Sequence, residues 1–159
     1  MSIVVYSSHT GSTKKYAELF AERAGLSCYS ADDQYSPDES IIYFGWLNGP
    51  KITGLDGLDQ SKIVAIATVS LDDPPEFGWE KVTEVNKVAV PMFHLRGWID
   101  RSKLKFSEKL FFAFLCLVYR LKGLNDHTRP LYDAMKKGGS FFDENGLDEI
   151  ISYISSIEE

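Results

Sequence analysis

Apolar residues fall in short unbroken blocks along the first two thirds of the chain. Ile3-Val4-Val5-Tyr6, Ile41-Ile42-Tyr43-Phe44 and Ile63-Val64-Ala65-Ile66-Ala67 show no polar alternation. That is the pattern of parallel strands covered on both faces. They predict strands at 2–7, 41–46 and 62–69. Two more are read at 27–30 and 87–94, the latter from Val88-Ala89-Val90 with Met92-Phe93 after a proline. Between them the period lengthens. Tyr16, Leu19, Phe20 and Ala24 share one face of a helix after the first strand. Leu147, Ile150, Ile151, Ile154 and Ile157 repeat at helical spacing near the end, with Asp143 or Asn145 as the cap. Residues 51–60 contain two glycines and have room for a turn or two of helix, and 79–85 is as weakly marked. Strands separated by helices or turns predict an α/β doubly wound parallel sheet of five strands.

The turn after the first strand reads Ser7-Ser8-His9-Thr10-Gly11-Ser12-Thr13. A strand that runs through a hydroxyl-rich, glycine-containing turn into a helix makes an anion site. The first helical N–H groups lack internal partners and sit at the positive end of the helix dipole. Ser8, Thr10, Ser12 and Thr13 add hydroxyl donors, and Gly11 lets the backbone close around a phosphate. The G-x-x-x-x-G-K-[ST] spacing of nucleotide-triphosphate loops is absent, and so is G-x-G-x-x-G. The alternative is an ordinary helix N-terminus with Ser/Thr caps; position on the first β–α turn favours the phosphate. His9 is expected to point to solvent.

Ser8-x-Thr10-Gly11-x-Thr13 resembles the phosphate loop of flavodoxins, which holds the 5′-phosphate of FMN. The resemblance implies strand order 2-1-3-4-5 with helices on both faces, and a crevice at the carboxyl ends of strands one and three. It implies FMN as cofactor, bound by Ser8, His9, Thr10, Gly11, Ser12 and Thr13, by Trp46, Leu47, Asn48 and Gly49 after the third strand, and by Ser70, Leu71, Asp72, Phe77 and Trp79 after the fourth. Trp46 either lays its π-face on the flavin or caps the core. Asn48-Gly49 suits the peptide that turns toward the flavin on reduction in this family, and equally any surface turn. The third loop carries Asp72, Asp73 and Glu76, which either lower the flavin potential or are simply solvated. Flavodoxins usually place a tyrosine there; Phe77 or Trp79 would have to substitute. His94, at the end of strand five, is either a proton donor or structural. No context is visible for His127, and no catalytic residue is assigned.

Charge changes the picture at one place. The chain of 159 residues carries −6, with a pI near 5.1, which argues against nucleic acid as a partner. Yet residues 101–129 hold seven Lys/Arg against Glu108 and Asp126, a net of +5 that leaves −11 elsewhere. Leu110 to Tyr119 is an uncharged apolar run inside that segment. It is either a core helix or a surface helix meeting a membrane, a partner or an apolar substrate. A basic, apolar insertion after strand five, placed at about 98–124, resembles a subset of flavodoxin-domain proteins that includes the menaquinone-dependent protoporphyrinogen oxidases. That resemblance implies a quinone or porphyrin-like molecule, or a redox partner protein; the basic ends and apolar middle of 101–122 themselves suggest peripheral membrane contact.

The length fits one domain, taken as 1–159. Cys28 and Cys116 match no metal or redox spacing and are expected to be buried small hydrophobes; no metal is expected. No basic n-region precedes the first strand and no apolar run reaches the ~20 residues of a membrane span, so the expected location is the cytoplasm, with contact to the inner face of the membrane through the arm. Three functions follow: an FMN electron carrier, an oxidoreductase of the protoporphyrinogen oxidase type using FMN and a quinone acceptor, or a flavin-free interaction module. The FMN electron carrier is preferred.

Overall fold

The structure is a computed structural model that describes residues 1–72 and 78–158. Its centre is a parallel sheet of β1 (Ser2–Ser7), β2 (Cys28–Ser30), β3 (Ser40–Asn48), β5 (Ile63–Ser70) and β6 (Met92–Arg96), in the order β2-β1-β3-β5-β6, with the short β4 (Lys51–Ile52) antiparallel on β3. Val4 pairs with Cys28 on one side and Ile42 on the other. The order therefore reverses between β1 and β3.

Both faces of the sheet are covered, which is why its inner strands read as unbroken apolar runs. Val4, Ile42, Phe44, Ala65, Ala67 and Leu95 meet α1 (Ser12–Ala24) and α5 (Leu147–Glu158). Ile3, Val5, Ile41, Tyr43, Ile63 and Ile66 meet Val82 of α2 (Gly78–Asn86) and the Ile52–Leu55 turn. Ile63 and Ile66 share a face because the β3–β5 register slips at Ile41/Ile42. The buried side of α1 is Tyr16, Ala17, Phe20 and Ala21; Leu19 and Ala24 are only half-buried, so the stripe sits on the alanines and brings the helix close to the sheet. Burying Phe20 alone is worth ~2–3 kcal/mol.

The fifth strand needs correction, while the two weakly marked stretches hold the helix and turn expected of them. The fifth strand begins at Met92, and Val88-Ala89-Val90 lies outside it. Pro91 has no N–H to donate, and its carbonyl instead accepts from Ile66 N at 3.0 Å, opening the ladder. The weakly marked stretch at 79–85 is helical. Buried Asn86 fixes its end, accepting from Ile52 N at 2.9 Å and donating to Pro50 O at 2.8 Å. Residues 51–60 hold β4 and the turn Leu55–Gly57, with a second turn at Gln60–Lys62.

The insertion is longer than 98–124. It leaves the sheet after Arg96 and returns near Phe141, closed by a stem in which β7 (Trp98–Ile99) pairs antiparallel with β8 (Gly139–Ser140). The stem carries α3 (Phe106–Lys122) and α4 (Thr128–Lys137). The Tyr16 hydroxyl spans its base, donating to Arg96 O at 2.6 Å and accepting from Asp143 N at 2.9 Å. The core-helix alternative for the apolar run fails: no residue of α3 is fully buried. Its underside, Phe112, Leu115, Cys116 and Tyr119, packs on a small cluster of Ile99, Leu104 and Met135. Asp143 caps the turn Glu144–Gly146 that leads into α5, by accepting from Asn145 N at 3.0 Å.

Candidate functional site

Gly11 stands at φ +103° before α1, a conformation that a residue with a Cβ adopts only under strain. Among the described residues no side chain caps the helix, and no acidic residue lies in its first turn, so its N-terminal amides are left for another acceptor. Ser12 and Thr13 are buried and line a cavity directly in front of that end. The other hydroxyls behave differently. Ser8 Oγ is buried without a hydrogen-bond partner among the described residues, and Ser8 borders a separate cavity of about 280 Å³ with Ser30, Asp32 and Gly54. Thr10 is taken by the insertion. Its Oγ1 donates to Trp98 O at 3.1 Å, and Trp98 Nε1 donates to Thr10 O at 2.9 Å. The Trp98 ring lies over Gly11, 3.5 Å from where a Cβ would stand, and the Lys103 ammonium is 3.7 Å from the same point.

His9 does not point to solvent. Its Nε2 is 2.8 Å from Glu108 Oε1 at the start of α3, and its ring stacks on Trp46 at 5.7 Å. The Lys105 amide beside Glu108, with His9 adding to it, holds that carboxyl below the usual glutamate range. Trp46, Leu47, Asn48 and Gly49 all line the cavity, Gly49 at φ +59° in the β3–β4 turn. Ser70, Leu71 and Asp72 line its far side. The insertion and the end of β6 that leads into it grip that loop too: Gly97 N donates to Ser70 O at 2.8 Å, Arg96 Nε to Leu71 O at 2.8 Å, and His127 Nε2 lies 3.1 Å from Asp72 Oδ1.

Phe77, with Asp73 and Glu76, lies outside the described residues. Trp79 does not line the cavity. It packs on the apolar cluster of the other sheet face and meets His94 edge-on at 5.1 Å. His94 is structural: Nδ1 is 2.9 Å from Thr68 Oγ1 and Nε2 is 2.6 Å from Asp72 O, so it braces the loop after β5. Both cysteines are free and half-buried, and burial pushes the Cys28 thiol up to about 11.

The cavity so formed has a volume of about 670 Å³, within the range of small-molecule sites. It lies at the carboxyl ends of the strands where the order reverses. Its floor is the three loops, and its roof is the inner side of the insertion, including Trp98, Phe112, Leu115, Tyr119 and Met135. The sequence reading missed Trp98, Lys103 and Glu108 as site residues. Trp98 opens the predicted insertion, but its reach back to Thr10 crosses 88 positions and leaves no local mark. Among the described residues no His, Cys, Asp or Glu cluster suits a metal. The cavity combines an uncapped helix N-terminus with apolar walls. The chain matches no protein-family model and no curated protein.

Proposed function

We propose that the cavity binds FMN and that the protein is a flavodoxin-like electron carrier. The observation that carries this reading is the uncapped N-terminus of α1 opening into an apolar cavity at the strand-order reversal. The residues fit the cofactor in part. The α1 amides, the Ser12 and Thr13 hydroxyls and the Lys103 ammonium would hold the phosphate. Trp46, Leu47 and Leu71 would wall the ring, and Gly49 gives the peptide beside it freedom to reorient. Two motif hydroxyls do not fit: Thr10 is bonded to Trp98, and Ser8 borders the other cavity. When bound, the flavin supplies one- or two-electron transfer. This chain's part is to anchor, to stack and, through the roof of the insertion, to keep water out.

A second reading, an oxidoreductase of the protoporphyrinogen oxidase type with a quinone acceptor, draws on one observation. The cavity continues beneath α3 to Leu131 and Met135, an apolar extension beside the place proposed for the ring.

Titration of flavin fluorescence tests the first reading. FMN should bind about tenfold or more tightly than riboflavin, through its charge-assisted contacts. Lys103→Ala should weaken FMN and leave riboflavin unchanged. Equal affinity for the two flavins defeats the phosphate assignment. Failure to bind either leaves the flavin-free module. Turnover of protoporphyrinogen with a quinone would promote the second reading over the first.

A further inference from the structure

The outer side of α3 is apolar as well as the inner. Phe106, Leu110, Phe114, Leu117 and Leu121 follow one another at intervals of four, four, three and four, which puts them on one helical stripe. Their exposures are 77, 56, 61, 53 and 79%. Isolated exposed apolar residues need no explanation, but a continuous stripe of large ones marks an interaction surface. Stability does not require it, because α3 is already held by Phe112, Leu115 and Tyr119 on its opposite side.

Charge says what kind of surface meets it. Lys109 and Arg120 sit about a quarter-turn from the stripe's centre, and exposed Lys103, Lys105 and Lys122 stand at its two ends. The occupant must therefore be apolar in the middle and anionic at the border. A second copy of the chain fails this requirement, since apposing two stripes brings together two segments of net +5 each. No helix among the described residues is long and apolar enough to cross a bilayer, so α3 can only lie along one.

We propose that α3 docks on an anionic lipid surface, lying in the interface with its Phe/Leu stripe among the acyl chains and its Lys/Arg flanks at the headgroups. The −11 carried by the rest of the chain is repelled by the same surface, so the protein binds insertion-first. The cavity roof then rests within one helix diameter, about 10 Å, of the lipid. This inference is independent of what the cavity holds.

Co-sedimentation with vesicles tests it. Wild-type protein should bind phosphatidylcholine vesicles containing a quarter phosphatidylglycerol, bind pure phosphatidylcholine far less, and be released by added salt. Leu110→Asp with Phe114→Asp should lower binding at least about tenfold, with the melting midpoint unchanged because both side chains are exposed. Lys109→Glu with Arg120→Glu should abolish the preference for phosphatidylglycerol. This second pair decides the matter even if the aspartate pair misfolds. The proposal is overturned if wild-type protein does not sediment with the anionic vesicles, if both variant pairs bind as wild type does, or if wild type sediments as a dimer that Phe114→Asp splits.

Discussion

Removing the indole of Trp98 tests whether the insertion is a fixed roof or a loosely attached arm. Trp98 is half-buried, lies over Gly11, meets Phe142 at 5.5 Å and exchanges two hydrogen bonds with Thr10. Full burial would make a Trp→Ala change cost ~3–5 kcal/mol, and half of that is the appropriate share here. The change also takes the indole donor from the Thr10 carbonyl, at ~0.5–1.5 kcal/mol. The expected loss is ~2–4 kcal/mol, or a fall of roughly 4–16 °C in melting midpoint for a chain of this size. Trp98→Phe keeps a smaller ring but gives up the N–H and the indole atoms nearest Gly11, so it should cost an intermediate ~1–2 kcal/mol. Urea unfolding should rank the two variants in that order. If Trp98→Ala costs under ~0.5 kcal/mol, the range of an ordinary surface change, the indole is not packed as described and the roof is not fixed to the loop before α1.

Three further outcomes are expected. Trp46→Ala should loosen FMN by ~1 kcal/mol and shift the visible spectrum of the complex; an unchanged spectrum means the ring is walled by other residues. Cys28, with its thiol pushed from 9.0 to about 11 by burial, should present a hundredfold smaller thiolate fraction at neutral pH, so iodoacetamide should label it far more slowly in the native protein than in urea; equal rates would refute the burial. Glu108 titrates below its ordinary value of 4.5 in the folded chain, so the unfolded chain binds the proton more readily. Its contribution is full above that ordinary value and is lost as pH falls through the depressed one, so the midpoint of wild type should fall more steeply below pH 4.5 than that of Glu108→Gln; parallel curves would show that the Lys105 amide and His9 do not hold the carboxylate.

What the sequence disclosed follows from what each element must bury. β1, β3 and β5 are covered on both sides, so they read as solid apolar blocks, while their order came only from the resemblance to flavodoxins. α2 needs to bury only Val82 and Asn86, and that leaves almost no periodic mark. Residues 106–121 announce a helix but not its facing, because Phe112 and Leu115 turn inward while Leu110 and Phe114 turn outward and both pairs are apolar. Leu131, Ala134 and Met135 do have helical spacing, a signal for α4 that was available and overlooked. Thr10 and His9 were found as loop residues, but their partners Trp98 and Glu108 lie 88 and 99 positions away. Contacts of that separation are set by how the insertion folds back, which no local pattern encodes.

The insertion returns to within one strand spacing of where it begins, since Phe141 N donates to Gly97 O at 2.9 Å and Tyr16 bonds the backbone on both sides of the gap. The polypeptide between 97 and 140 is therefore a closed excursion from a frame that does not depend on it for strand pairing. A chain spliced from Arg96 to Phe141 through a short glycine link would keep every strand of the parallel sheet, with α1, α2 and α5, and would shed only the roof. The molecule is in this sense an interchangeable-head design: the frame supplies the uncapped helix end, and whatever is grafted onto the stem determines how the space above it is closed and what the closed side faces.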